Sequence, residues 1–448
     1  MVPLRRATLA VAAVLLGTVA TARADKLAPA DVANKNDGGY VTGLPLFAYS
    51  TDLGLGLGAR VYYYWNGHRD DPRFAHTPYL YRLFLQGFAS TRGTQFHWLD
   101  FDAPKIFESA YRIRSQLIYQ RNLNSNYFGL GRRALSPLAF PGSGKTYGAY
   151  ADYLHDQSLI GAGGQTFGKY DQYDLLRPIG IASIERLFAD DRVRVLGGFG
   201  VSYARIRDYT GRQVDAASAA GGDTKAAEAQ TRLAADCAAG RLVGCAGGRD
   251  DYLRLGISYD TRDYEPDPNS GGFFDLAVDL GTVALGSQYD YLRVLLAARG
   301  YWSPVPDAAD LVIAGRFLFE AQTNGAPLFS MNTLPFTEDP RAGLGGHRTL
   351  RGFRQDRFVG SVMALANAEI RWTWGHAYLK GQRFAFLLAP FFDLGRPFDA
   401  LADLSPRDWQ TSYGGAFRIA WNLATIVTVD YGRSSEDTGF YVNFNHIF

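Results

Sequence analysis

The sequence predicts an all-β protein, and more specifically a 16-stranded antiparallel transmembrane β-barrel. Three observations support this fold class. The chain begins with an export signal, its composition is rich in glycine and aromatic residues without long apolar blocks, and runs of alternating polar and apolar residues recur along its length. This combination is typical of strands that cross a membrane with one face towards lipid and one towards water.

The N-terminus has the three parts of a secretory signal peptide. Arg5 and Arg6 precede an apolar stretch at 7–20, and Ala22-Arg23-Ala24 matches the small-x-small cleavage pattern. The apolar stretch is shorter than the roughly 20 residues that a membrane helix needs. We therefore predict that residues 1–24 form a removed signal peptide and that the remainder is exported to the outer membrane of a Gram-negative type of cell.

Composition narrows the function classes. The chain contains 50 Gly, 27 Tyr and 29 Phe but only 2 Cys and 3 Met, and its net charge is +2. No basic block is present, so we expect no nucleic-acid partner. No metal-ligand, phosphate-cradling or nucleophile motif stands in a suitable context, so we expect no metal, no cofactor and no enzyme activity. An enzyme whose catalytic groups meet only in space is the alternative.

Period-two alternation is clearest at 252–260. Leu253, Leu255, Ile257 and Tyr259 share one face, and the intervening positions are polar or glycine. The segments 311–320 and 366–374 alternate in the same way, with Arg316, Glu320, Asn367, Glu369, Arg371 and Thr373 on their polar faces. Each run has about the length of a tilted membrane strand. Alternation alone fits a soluble β-sandwich equally well, and the composition, rich in Gly, Tyr and Phe without long apolar blocks, favours the membrane barrel.

Counting these runs predicts the strands. They lie at 46–65, 78–91, 95–103, 107–121, 147–163, 175–188, 192–207, 250–260, 272–282, 288–301, 309–321, 358–374, 382–394, 411–422, 424–433 and 438–448. With a periplasmic N-terminus, the long connections 208–249, 322–357 and 395–410 lie outside the cell, as bacterial barrels require. The connection 122–146 is then unusually long for the periplasmic side. The predicted division is a signal peptide at 1–24, a short periplasmic segment at 25–45 and the barrel at 46–448.

Two local features have more than one interpretation. Gly54, Gly56 and Gly58 alternate within the first predicted strand, where they either permit a kink or weaken a seam with the last strand. Cys237 and Cys245 are the only cysteines and share one long loop, so in an exported protein we predict a disulfide. Two free thiols on a flexible loop are the alternative.

The last predicted strand, 438–448, is rich in aromatic residues and ends on Phe448. A terminal aromatic residue on an alternating strand resembles the C-terminal signal by which outer-membrane barrels are recognised for insertion. We therefore assign Phe448 as a candidate insertion signal.

Residues 345–354, between the eleventh and twelfth predicted strands, contain a motif that resembles that of a known family. Leu350-Arg351-Gly352-Phe353 resembles the sixth-loop signature of the BamA/TamA superfamily, also called the bacterial surface antigen family. Phe391, Asp393 and Gly395 are similar to its F-x-D-x-G motif on the thirteenth strand, and Glu369-Ile370-Arg371 to its twelfth-strand pattern. Weaker matches occur, in the expected order, at 126–131, 259–263 and 414–418.

The resemblance implies a barrel that helps to insert or translocate protein or lipid at the outer membrane, in contact with outer-membrane lipid. Members of the family that handle client proteins carry polypeptide-transport-associated (POTRA) domains before the barrel. Here only about twenty residues separate the predicted cleavage site from the first predicted strand. We therefore expect a barrel-only member that uses a separately encoded periplasmic partner. A passive pore or structural barrel that keeps the fold without the activity is the alternative.

The resemblance also places Arg351 inside the barrel. Counting alternation along the thirteenth strand puts Asp393 on the inner face, and Glu369 is likewise inward on the twelfth. A guanidinium can bind a carboxylate through two parallel hydrogen bonds. We predict that Arg351 pairs with Asp393 and uses Glu369 as a second acceptor. The alternative is that Arg351 is a solvated loop residue and Gly352 marks only a turn.

Overall fold

The computed structural model describes residues 35–50, 54–74, 79–218, 222–263, 267–331, 343–379, 382–421, 425–444 and 446–448. The predicted signal peptide at 1–24 lies outside these ranges. Within them, no helix has both the length and the apolar character needed to cross a bilayer.

Sixteen strands form one antiparallel sheet in which each strand pairs with the next along the chain. We number them β1 to β16: Gly39–Ser50, Gly54–Trp65, Tyr81–Ser90, Gln95–Ala103, Tyr111–Asn126, Gln172–Phe188, Val193–Arg207, Gly247–Asp260, Gly271–Gly281, Tyr291–Trp302, Leu311–Gln322, Val362–Leu379, Gln382–Phe398, Gln410–Trp421, Thr425–Arg433 and Thr438–Phe444. β1 and β16 lie side by side, so the sheet curls into a nearly closed barrel. The predicted fold class is confirmed.

The alternation of the sequence becomes the two faces of the wall. On β8, Leu253, Leu255 and Ile257 are exposed on the outer surface, whereas Arg254 and Ser258 are buried inside. Exposed apolar side chains are stable on the outside of a barrel because lipid surrounds them, and the polar side chains then face the interior. The outer surface is therefore suited to a bilayer.

Two predicted strands were wrong, and the errors cancelled in the count. The segment 46–65 is the greater part of the hairpin of β1 and β2, in which Ser50 pairs with Gly54. The segment 147–163 contains no barrel strand and instead includes a helix, Tyr150–Ser158. Tyr150 and Tyr153 lie about one turn apart in this helix and pack together with Tyr147 and Phe128. The barrel also begins at Gly39, before the predicted boundary at 46.

These corrections resolve the connection that seemed too long. With β1 and β2 separated, the connection 127–171 joins β5 to β6 at the same end of the barrel as the long loops 208–246 and 323–361. We number the connections at this end in chain order, so these three are loops 3, 4 and 6. They build a cap with a small sheet made of Gln165–Thr166, Gln213–Ala217 and Asp223–Glu228, and the helix Arg232–Ala238.

Cys237 and Cys245 form a disulfide within this cap, with an S–S distance of 2.07 Å. Both pack beside a cluster that includes Tyr127 of loop 3, Leu233 of loop 4 and Phe329 of loop 6. The disulfide therefore lies where the three long loops meet.

The alternating glycines have a packing role that neither interpretation foresaw. Gly54, Gly56 and Gly58 belong to β2, which pairs with β1 and β3 rather than with the last strand. A side chain at Gly56 would begin 2.2 Å from the ring of Phe88 on β3. The glycine leaves room for that aromatic ring on the inner wall, so the predicted weak seam at this strand was wrong.

Candidate functional site

Loop 6 brings the predicted signature into the barrel. Leu350 and Arg351 are completely buried and Phe353 is 2% exposed, although all three belong to a connection rather than to a strand. Gly352 has φ +97°, a left-handed conformation that a residue with a side chain rarely adopts. The signature therefore forms a tight turn at the loop tip.

Arg351 is bound by two carboxylates of the inner wall. Its Nε and Nη2 donate to the two oxygens of Asp393 on β13 at 2.9 and 2.8 Å, and its Nη1 donates to Glu369 on β12 at 2.9 Å. The main-chain N–H of Arg351 also donates to Asp393 at 3.2 Å. This is the planar, bidentate geometry that a guanidinium offers and an ammonium does not.

Glu369 is the centre of a larger ionic cluster. Besides Arg351, it accepts hydrogen bonds from Arg418 on β14 at 2.7 and 2.9 Å and from Arg371 on β12 at 2.9 Å. All four side chains are at most 3% exposed. Burial alone opposes the charge of Arg351, but the two carboxylates outweigh burial and raise its pKa above the usual value.

Asn367 on β12 extends the cluster to the main chain of loop 6. Its Nδ2 donates to Asp393 and to the carbonyl oxygen of Thr349, both at 2.8 Å. Its Oδ1 accepts from Nε and Nη2 of Arg316 on β11 at 3.0 and 2.8 Å. Arg316 also donates to the carbonyl oxygen of Arg348 at 2.5 Å. The inner wall therefore binds both the charged side chain at the tip of loop 6 and the main chain of Arg348 and Thr349, which precede that tip.

The loop tip also rests against the last two strands. The N–H of Gly352 donates to the hydroxyl of Tyr441 on β16 at 3.0 Å, and its carbonyl accepts from Ser434 at 2.8 Å. A side chain at Gly432 on β15 would begin 2.7 Å from the main-chain carbon of Arg351. Four strands, β12, β13, β15 and β16, thus contact one turn of loop 6.

The thirteenth-strand motif lies directly beneath this turn. The ring centroid of Phe391 is 3.2 Å from the central carbon of the Arg351 guanidinium, which indicates a cation–π contact. Asp393 supplies the carboxylate, and a Cβ built at Gly395 would lie 3.1 Å from the side chain of Leu350. All three motif positions therefore contact the loop-6 signature.

The end of the chain enters the lumen instead of completing the wall. The prediction that 438–448 is one strand was wrong, because β16 ends at Phe444. His446, Ile447 and Phe448 are buried, and the Phe448 ring lies 5.0 Å from the guanidinium carbons of both Arg316 and Arg371. The alternation of the sequence continues to residue 448. The last residues leave the wall because Arg316 and Arg371 donate hydrogen bonds to the carbonyl oxygens of Ile447 and Phe448. An insertion-signal role for Phe448 stays a prediction.

His446 connects this chain end to the ionic cluster. Its two ring nitrogens lie 2.8 Å from Arg418 Nη1 and 2.7 Å from Asp267 Oδ1, in the connection between β8 and β9. Burial, followed by the charges of Arg371 and Arg418, lowers the pKa of His446 to about 4. The imidazole is therefore neutral at neutral pH.

Sequence reasoning named Arg351, Asp393 and Glu369 but missed Arg316 and Arg418 as members of the site. The alternation of β11 had already placed Arg316 inward, and Arg418 lies in the stretch 414–418 that resembled the family. What alternation cannot supply is the curvature of the barrel, which decides which inward residues from different strands meet. Among the described residues, no group of three or more His, Cys, Asp or Glu side chains could hold a metal ion.

Two protein-family models match the chain. The Omp85 superfamily domain matches residues 164–446, and a domain of unknown function, DUF5982, matches residues 19–80. No curated protein sequence matches the chain.

The similar solved structures include BamA from Haemophilus ducreyi lacking POTRA domains 1–3, at 13% identity and a TM-score of 0.49, covering 92% of this chain and 70% of that one. CdiB from Escherichia coli follows at 10% identity and a TM-score of 0.48, covering 90% of this chain and 62% of that one. CdiB from Acinetobacter baumannii has 12% identity and a TM-score of 0.46, with 92% and 60% covered. The chain thus spans less than two thirds of either CdiB. Because the superfamily domain covers more than half of the sequence, this chain belongs to the Omp85 superfamily.

Proposed function

We propose that this chain assists the insertion or translocation of protein at the outer membrane. One observation carries the proposal: the tip of loop 6 is buried in the lumen and held by the bidentate Arg351–Asp393 pair. Burying a charged pair is costly unless its geometry is well satisfied, and replacement by apolar residues is often neutral. An elaborate buried anchor for a loop is therefore better explained by a functional position than by stability.

The contents of the lumen argue against a passive pore. A 16-stranded barrel leaves an aqueous channel unless loops fill it. Here loop 6 enters from one end, and residues 446–448 occupy the interior beside Arg316 and Arg371. Arg316 donates to both segments, to the carbonyl oxygens of Arg348 and Ile447.

The junction of β1 and β16 supports an opening wall. β16 has 7 residues whereas β1 has 12, and no hydrogen-bonded ladder joins them in the part of the chain that the structure describes. An unpaired strand edge can accept an added strand through its free N–H and C=O groups. Since Tyr441 on β16 bonds to the loop-6 tip, the junction and the site are in direct contact.

Client delivery is the second part of the proposal. A separately encoded periplasmic protein is the proposed source of clients. Crosslinking in cells followed by mass spectrometry tests this part. Recovery of outer-membrane precursors together with a periplasmic protein supports it, and recovery of lipid alone contradicts it.

The central experiment uses the purified protein in liposomes and a small unfolded outer-membrane barrel as client. One cysteine is placed within 39–46 and another within 438–442, so that oxidation locks the junction. We expect wild-type liposomes to speed client folding, oxidation to abolish the effect and reductant to restore it. Each cysteine alone is the matched control.

A planar-bilayer recording separates the two functions. The proposal predicts low, intermittent conductance from the wild type, because loop 6 and the chain end lie in the lumen. Steady conductance together with client folding that the junction lock does not change would identify a passive pore and overturn the proposal.

A further inference from the structure

A trough runs along β6 on the outer, lipid-facing wall. Its floor consists of Pro178 and Gly180, and the small outward residue Ala182 extends it along the strand. At roughly 3.3 Å per residue the floor is about 13 Å long, close to the depth of one leaflet of a hydrocarbon core about 30 Å thick.

Larger side chains on the neighbouring strands form the two sides. Leu117 on β5 and Val201 on β7 stand opposite Gly180 in the register. Tyr119 pairs with Pro178 in the same way, and Tyr203 lines the trough from β7. A Cβ built at Gly180 would lie 3.2 Å from Val201 and 3.5 Å from Leu117, so the glycine is what keeps the floor low.

Two arginines stand at the end of the trough nearest the long loops. Arg121 on β5 and Arg205 on β7 both pair with Leu176 of β6, two residues beyond Pro178. Two strand spacings separate them, roughly 10 Å. Neither guanidinium forms an ion pair within the described chain, and Arg121 Nε is buried without a hydrogen-bond partner there.

Two acidic residues, Asp251 and Asp174, lie near this end, each with an arginine beside it. Arg249 lies on the far side of the trough and is bound to Asp251 at 2.7 Å. Asp174 pairs with Arg207 in the register, two residues along β6 from Leu176. The trough therefore has an apolar floor and a positive end.

We propose that this trough binds one phosphorylated lipid of the outer leaflet, with an acyl chain along Pro178 to Ala182 and a phosphate between Arg121 and Arg205. The wall faces hydrocarbon, so an apolar chain is the occupant that the floor suits. A phosphate group supplies several acceptor oxygens for two guanidinium groups. His97 and Tyr119, stacked at a centroid distance of 5.7 Å, lie near the same end, where aromatic residues of membrane barrels meet the headgroups.

This lipid site goes beyond the proposed function and does not depend on it. Its chemistry, a phosphate joined to acyl chains, is shared by lipid A and by glycerophospholipids. The two sources are separated by offering each lipid alone to the protein.

The test measures lipid retention by native mass spectrometry of the folded, detergent-purified chain. The probes are diphosphorylated lipid A, phosphatidylglycerol and uncharged diacylglycerol. The variants are R121Q/R205Q, which removes the positive end, and Gly180→Leu, which fills the floor. Ala182→Leu fills the floor one step along if Gly180→Leu does not fold. The charge-matched control is R186Q/R212Q, which changes one arginine at the opposite end of β6 and one in loop 4.

We expect the wild type and R186Q/R212Q to retain one phosphorylated lipid, and R121Q/R205Q to bind it about tenfold more weakly, because it loses two charge-assisted contacts. The floor-filling variants should also lose it, and diacylglycerol should be retained by none. Preference for lipid A or phosphatidylglycerol then identifies the source. Equal retention by R121Q/R205Q and the wild type, or equal retention of diacylglycerol, would overturn the proposal.

Discussion

The inner wall of the barrel differs between its first half, β1 to β8, and its second half, β9 to β16. Along β1 to β4 it carries a row of aromatic rings in which neighbouring centroids lie 4.8 to 6.2 Å apart: Tyr40, Tyr64, Tyr62, Phe84, Trp98 and Phe96. Along β11 to β14 it carries buried charges, centred on Glu369 and Asp393. The same alternation of polar and apolar residues produces both regions of the inner wall. Alternation therefore decides which residues point inward, but not which contacts they make there.

The ion pairs of the two halves also connect different parts. In the first half, Arg112 on β5 binds Asp102 on β4 at 2.8 and 2.7 Å, so the pair joins neighbouring strands of the wall. In the second half, Asp393 and Glu369 bind Arg351, so these two pairs join the wall to a loop, whereas the pairs of Glu369 with Arg371 and Arg418 stay within the wall. The first arrangement reinforces the barrel itself. The second holds a separate segment in one position, and this difference is open to test.

Replacing Arg351 should have the largest effect on the loop. In Arg351→Ala, Asp393 and Glu369 lose a buried partner, and breaking such a pair costs about 3 kcal/mol or more. We expect new protease cleavage within 343–353 while the barrel still shows the heat-dependent gel shift of a folded protein. Arg351→Lys should restore little, because an ammonium cannot make the bidentate bond.

Arg112→Ala is the matched control, since it removes the same kind of bidentate pair from the other half. It should lower the temperature of the gel shift without exposing loop 6 to protease. If both variants open loop 6 equally, the proposed division between a wall pair and a loop anchor is wrong.

Gly432→Ala should displace the same loop by steric means. The added methyl would begin 2.7 Å from the main-chain carbon of Arg351 and 2.8 Å from its Cβ, and overpacking of this kind costs about 1–3 kcal/mol. We expect protease cleavage in loop 6, weaker than in Arg351→Ala. Gly415→Ala on the neighbouring strand β14 meets nothing within 4 Å and is the control. Equal protection of loop 6 in both glycine variants would contradict the close contact.

A comparison of β8 with residues 438–448 shows where the sequence predicts the structure and where it does not. On β8, lipid outside and polar groups inside impose a strict period of two, and the pattern assigns every face correctly. At 438–448 the pattern continues past the point where the strand stops. Arg316 and Arg371, from distant strands, draw the last residues inward, and no local pattern contains that information.

The site divides in the same way. A short sequence motif in loop 6, together with the alternation of inward and outward residues on two strands, was enough to name Arg351, Asp393 and Glu369. Arg371 lies two residues from Glu369 on the same strand, but the approach of Arg418 from β14 to that carboxylate depends on strand tilt and stagger, which are properties of the closed barrel. The hairpin of β1 and β2 was missed for the opposite reason, because alternation runs on from one strand into the next.

Reducing the disulfide should loosen the cap while leaving the anchor of loop 6 in place. Closing a short loop by a Cys237–Cys245 bond contributes about 2 kcal/mol in the chain-entropy account. We expect reductant to increase cleavage within 208–246 and leave 343–353 protected, because the tip is bound by the wall. The double variant Cys237→Ser/Cys245→Ser should reproduce the reduced protein and show no response to reductant. Loss of protection at 343–353 would show that the cap, rather than Arg351, holds the loop.

The smallest expected effect is a pH dependence confined to the cap. Glu228 is 1% exposed, and burial raises its pKa to about 8, although the N–H and the charge of Lys169 oppose the shift. The folded cap therefore keeps a proton that the unfolded chain loses near the ordinary pKa of 4.5. The contribution to stability is complete below pH 4.5, falls as the pH rises through 8 and changes no further above that value.

Glu228→Gln mimics the protonated side chain and should remove this dependence. The measurement is the rate of cleavage within 208–246 for wild type and variant side by side at pH 5 to 9, so that the pH response of the protease cancels. We expect equal rates at pH 5 and faster cleavage of the wild type at pH 9. Cleavage at 343–353 should not change in either protein, because no part of the Arg351 anchor depends on Glu228. A constant ratio of the two cleavage rates across the whole pH range would show that Glu228 is ionised normally. A parallel loss of protection in loop 6 would show instead that the cap and the charged half of the wall act as one unit.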